Sequence, residues 1–131
     1  GTIQTYLVVM LGGAFGTGLR LWLSSLDAAR FGETFPIGTL VVNILGCLAI
    51  GFSVGVTGPQ GVILASPLTR QFVTIGVLGG FTTFSSFGLQ TYLLLADGEL
   101  FRGCLNAILS LVICLIAVWI GITIANALNQ R

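Results

Sequence analysis

Residues 76–87 read GVLGGFTTFSSF, running from Gly76 to Phe87 inside an apolar stretch of membrane length. Paired glycines, four hydroxyl side chains and three phenylalanines share these twelve positions. Glycine weakens a helix interior, and clustered Thr and Ser can satisfy the backbone groups that a break would free. The stretch therefore resists being one plain lipid-facing helix, and irregular backbone here has to be buried in protein or line a cavity.

The rest of the 131-residue chain is equally apolar, with 55% hydrophobic and 7% charged residues. This is the composition of an integral membrane protein. A spanning helix takes roughly 20 mostly apolar residues, and the charges fall almost entirely between such runs. Asp27, Glu33, Asp97, Glu99, Arg30, Arg70, Arg102 and Arg131 mark segment ends. Reading between them gives spans from about Ile3 to Leu26, Ile37 to Thr57, Leu68 to Ala96 and Leu100 to Leu128. The expected architecture is all-α, a single four-helix transmembrane domain over residues 1–131 with the third helix broken. The first segment lacks a basic leader and is longer than a signal core, so it is expected to span rather than to be cleaved.

Several chemistries have no support in the residues. There is no His, and the acids lie near span ends, so a carboxylate dyad, a His-based triad and a His or Cys metal site are unsupported. An enzyme is not expected. Cys47, Cys104 and Cys114 lie in apolar runs without C-x-x-C spacing and read as packing residues.

Short connections containing Pro36, Pro59 and Pro67 imply an up-down-up-down bundle of antiparallel neighbours. Lys is absent, and the arginines divide almost evenly between the two ends of such a bundle. Orientation follows Lys and Arg bias in short loops, so this count permits insertion both ways up and hence an antiparallel pair. Gly12 with Gly16, Gly51 with Gly55, and Gly76 with Gly80 have G-x-x-x-G spacing. That spacing serves close helix contact within one chain or between two.

Polar residues recur inside the spans. Asn43 sits mid-span, where an amide needs a partner because hydrocarbon offers none. It can donate to an anion or bond a neighbouring helix. Thr83, Ser86 and Gln90 follow i, i+3, i+7 spacing, and Asn106, Ser110 and Cys114 follow i, i+4, i+8, which gives one stripe on each of two helices. Together with Asn43 they point to a shared polar track. Phe81, Phe84 and Phe87 interleave with the hydroxyls. Ring edges are positive, so they can stabilise a small anion without the trap of a full charge. Arg20 reads either as an interfacial anchor or as a source of positive potential in a vestibule.

At these residues the chain resembles the small fluoride channels of the Fluc/CrcB family over nearly its full length. Gly12, Gly13, Gly16 and Arg20 give GGxxGxxxR; Gly38 to Asn43 give GTLxVN, followed by Gly46. Gly76, Gly79, Gly80 and Thr82 to Phe87 give GxxGGxTTFSxF, and the fourth span contributes Ser110 and the AVWIG ending at Gly121. The resemblance implies a dual-topology, antiparallel homodimer with two pores, carrying fluoride passively out through a bacterial inner membrane. It implies Asn43 as a pore-lining donor, Phe84 and Phe87 as rings whose edges face the ion, and Ser86 and Ser110 beside them. It further implies carbonyls of Gly79 and Thr82, from both copies, around a central structural sodium ion. Expected partners are a second copy, fluoride, sodium and the lipid bilayer, with no nucleic acid. Gln90 stands where many members have Glu, and Asn106 and Cys114 replace hydroxyl residues common in the fourth span.

Two rivals carry different expectations. A small multidrug-type antiporter shares four spans and dual topology but needs an intramembrane carboxylate. A non-conducting assembly subunit would use its glycines and amides only to join helices.

Overall fold

Hydrocarbon leaves a spanning backbone no partner but itself, so the apolar runs become helices. The computed structural model describes residues 1–31 and 35–130, with the backbone alone at 27–31. The charge markers Asp27, Arg30, Glu33 and Arg131 lie outside the residues whose side chains are described. Four helical stretches are long and apolar enough to cross a membrane: Thr2–Leu26, Ile37–Thr57, Pro67–Ala96 and Leu100–Asn129. The chain is a multi-pass membrane protein, and the segment boundaries expected from the charges fall within two residues of the helix ends, except that the first helix continues past Leu26 to Phe31.

In chain order the elements are α1 (Thr2–Phe31), α2 (Ile37–Thr57), α3 (Pro67–Gln71), a π-type segment (Phe72–Val77), α4 (Leu78–Phe81), α5 (Phe84–Ala96) and α6 (Leu100–Asn129). Local chemistry explains the punctuation. Ser66 caps α3 by accepting from the Thr69 amide at 3.1 Å, and Pro67 takes the first turn, where its missing N–H is no loss. Between α5 and α6, Gly98 has φ +82, a left-handed conformation that L side chains rarely adopt. At the α2 end, Asn129 reaches across from α6, donating to the Gly55 carbonyl at 3.0 Å and accepting from the Val62 amide at 3.0 Å.

The tightest seams join helices that are not consecutive in sequence, α2 with α6 and α1 with the segment from Phe72 to Phe81. Glycine makes both possible. A Cβ at Gly51 would collide with the Val118 carbonyl, and one at Gly121 with the Leu48 carbonyl, so α2 and α6 run parallel in near backbone contact. On the other side, Gly16 lies against the Val77 carbonyl, Gly76 against the Val9 carbonyl and Gly80 against Gly13. All three G-x-x-x-G pairs thus meet helices of their own chain. Parallel alternate helices are what an up-down-up-down order gives, and consecutive spans meet in antiparallel sense, Ser24 beside Gly38 and Thr91 beside Asn106. Consecutive helices do touch, but small residues decide the closest approach, and they lie on faces that bring parallel helices together.

Candidate functional site

The third apolar run does not continue as helix through its middle. α4 ends at Phe81, Thr82 and Thr83 have extended backbone (φ −84, ψ 161 and φ −150, ψ 118), and α5 begins at Phe84. Threonine favours this conformation through its branched Cβ, and its hydroxyl supplies substitute hydrogen bonds. Thr82 donates its hydroxyl to the Leu78 carbonyl at 3.1 Å, while Thr83 accepts from the Ser86 amide at 3.2 Å and so caps α5.

Extended residues in mid-span free backbone groups that must find partners. Asn43 of α2 takes both groups of Thr83, donating Nδ2 to its carbonyl at 3.0 Å and accepting its amide on Oδ1 at 2.8 Å. The paired bonds fix which end of the amide is oxygen. One N–H of Asn43 is left over from this pair. Arg20 of α1 donates Nε to the Gly80 carbonyl at 3.1 Å, and Thr17 adds a long contact of 3.5 Å to the same oxygen. A cation at the carbonyl end of α4 is also favoured by the helix dipole. Arg20 therefore anchors the junction.

Two carbonyls at the junction are deprived of their ladder partners. The amides that would complete a helix to Gly79 and Thr82 are those of Thr83 and Ser86, and these go to Asn43 Oδ1 and Thr83 Oγ1.

Beside the junction lies a cavity of about 390 Å³. Of the residues named from the sequence, Asn43, Gly79, Thr82, Thr83, Phe84, Phe87 and Ser110 line it, together with Gly46, Cys47 and Cys114. Phe84 and Phe87 form a tilted pair with ring centroids 5.5 Å apart and planes at 45°. The first turn of α5 begins at this wall and brings the positive end of a helix dipole with it. Fixed dipoles, ring edges and hydroxyls thus surround the space, and Asp97 and Glu99 are away from it in the α5–α6 turn.

Ser86, Gln90, Asn106 and Arg20 are not among the cavity-lining residues. Asn106 is 2% exposed and stands behind the wall. It donates to Thr91 Oγ1 at 2.8 Å and accepts from the Ser110 hydroxyl at 3.5 Å, while Thr91 donates to the Phe87 carbonyl at 2.8 Å. This chain ties α6 to the turn of α5 that carries Phe87. The Ser110 contact is long, so its hydroxyl can turn towards the cavity at little cost. Gln90 Oε1 is buried without a hydrogen-bond partner. The helical stripe of Thr83, Ser86 and Gln90 does not form as expected, because Thr83 precedes the helix and serves as its cap.

Thr91 was not singled out from the sequence, and Cys47 was read there only as a packing residue. Thr91 follows Phe87 by four residues, a spacing typical of a hydroxyl bonding back to its own helix. Cys47 follows Asn43 by four and lines the same cavity, a signal visible in the helical period.

The family model described as CrcB-like protein, Camphor Resistance (CrcB), matches residues 7–122. A protein of Opitutus terrae named Fluoride-specific ion channel FluC is 54% identical over 128 residues, 98% of this chain and 97% of the relative. Proteins of the same name from Rhodospirillum rubrum and Methylocella silvestris are 48% and 46% identical, covering 97% and 95% of this chain and 98% and 95% of the relatives.

Proposed function

The chain belongs to the CrcB family, and on that premise we propose that it is a fluoride-specific ion channel of the bacterial inner membrane that lets fluoride leave the cytoplasm passively. The observation that carries this is the uncharged donor wall, Asn43, Ser110 and the Phe84–Phe87 pair around one cavity, in a chain matched along 95–98% of its length by three relatives of that name.

Fluoride is small, strongly hydrated and a strong hydrogen-bond acceptor, so a passage for it must replace the water it loses. Here the leftover Asn43 N–H, the reorientable Ser110 hydroxyl and the positive ring edges supply that replacement. None of these carries a net charge, so the ion is stabilised without being held.

A single chain is incomplete as a conduit. Phe84 is 82% exposed. A second copy in the opposite orientation would cover that ring, and the near-even arginine distribution permits that orientation. An antiparallel homodimer with two pores is the proposed assembly. The carbonyls of Gly79 and Thr82 fit a hard cation by donor type. One chain offers two such oxygens, and a twofold copy would double them, so a structural sodium ion on the dimer axis is proposed to join the two junctions.

Fluoride efflux from proteoliposomes tests the proposal, comparing the native chain with Asn43→Ala and Phe84→Ile. Rapid efflux from the native chain, slowed in both variants, is expected. An inert native chain, with Asn43→Ala changing stability alone, would instead favour a non-conducting assembly subunit.

A further inference from the structure

Cys47 lies one helical turn beyond Asn43 on α2, and Cys114 one turn beyond Ser110 on α6. All four residues line the same cavity. The two thiols are free, and each lies four residues before the Gly51–Val118 contact of two parallel helices, which sets them at the same level of the α2–α6 seam. One turn further on, the backbones meet where Gly51 abuts the Val118 carbonyl and Gly121 the Leu48 carbonyl. That contact clamps the helices next to the pair, so the spacing of the thiols is set by rigid backbone. Cys104, in contrast, is exposed and outside the cavity lining.

We propose that Cys47 and Cys114 form a two-coordinate site for a thiophilic d10 cation, of the class of Hg²⁺, Ag⁺ and Cu⁺, and that occupancy obstructs the cavity. Two facing sulfurs match a soft cation content with linear dithiolate binding. No group of three or more His, Cys, Asp or Glu side chains occurs among the described residues, so tetrahedral zinc finds no ligand set there. The step is ligand exchange without oxidation. With Hg²⁺, two S–H bonds break, two S–Hg bonds form and two protons leave to water. The metal then sits about 5 Å along the wall from the Asn43 and Ser110 donors, one helical turn away.

The obstruction of fluoride rests on the channel reading, whereas the binding does not, so two readouts are needed. In reconstituted Cys104→Ser protein, Hg²⁺ is expected to bind at one ion per chain with loss of both remaining thiols, measured by metal analysis and thiol titration. Fluoride efflux should fall about tenfold or more on binding and return when excess dithiol removes the metal. Adding Cys47→Ser should abolish the dithiol stoichiometry and leave efflux insensitive to removable Hg²⁺. Two ions per chain, or one per chain unaffected by Cys47→Ser, would overturn the site. One ion per chain with undiminished efflux would overturn the obstruction. If metal-free protein passes no fluoride, the channel reading fails while the stoichiometry still decides the thiol site.

Discussion

The α2–α6 seam and the α4–α5 junction solve opposite problems in the same apolar medium. Along the seam both helices keep their own backbone hydrogen bonds, and Gly51 and Gly121 contribute only by lacking a side chain. At the junction the helix stops for Thr82 and Thr83, and side chains from two other helices take over the bonding. Asn43 occupies both groups of Thr83, and Arg20 takes the Gly80 carbonyl. A seam made this way can only hold. A junction made this way exposes oriented dipoles to a cavity, which is what an ion needs.

The two regions should therefore fail differently. Gly121→Val drives a branched side chain into the Leu48 carbonyl, at about 3 kcal/mol or more because backbone cannot step aside. No monodisperse protein is expected on size exclusion in detergent, and a well-folded Gly121→Val protein would show that the seam is looser than described. Asn43→Ala removes two hydrogen bonds and leaves the Thr83 groups unpaired, a loss of about 2–4 kcal/mol. Its thermal midpoint should fall, yet the protein should assemble and pass fluoride about 100-fold more slowly. Arg20→Met keeps the aliphatic stem but deletes the donor to Gly80. A loss of about 1.5–2 kcal/mol is expected, with efflux reduced several-fold, as stopped-flow or electrode traces would register. Thr17→Val touches the same carbonyl through a 3.5 Å contact, and such a weak bond should change stability by under about 0.5 kcal/mol. A Thr17→Val loss equal to that of Arg20→Met would remove the guanidinium from its anchoring role.

Much of this was legible in the sequence, for physical reasons. Apolar run length and the charges at segment ends define the spans, because both answer to bilayer thickness. Gly79, Gly80, Thr82 and Thr83 identify the irregular stretch, because each weakens a helix or offers it another partner. Helix partnering was less legible. Glycine spacing marks a contact face without naming the helix it meets, and so the parallel α2–α6 seam appears only in three dimensions. The roles of Asn43 and Arg20 were open for a related reason. A buried amide or guanidinium declares that it needs a partner, but the partner is a backbone group, and every residue has those. Asn106 likewise looked like part of the track, whereas its burial behind Ser110 depends on Thr91, whose hydroxyl follows the commonplace spacing for bonding its own helix.

The central assertion is that an uncharged cavity wall selects fluoride by replacing its hydration, and selectivity between two halides tests it most directly. Efflux of fluoride and of chloride should be recorded from matched proteoliposomes under the same gradient. Fluoride leaving at least about 100-fold faster is the expected result. Equal rates for the two ions, or no flux of either, would contradict it.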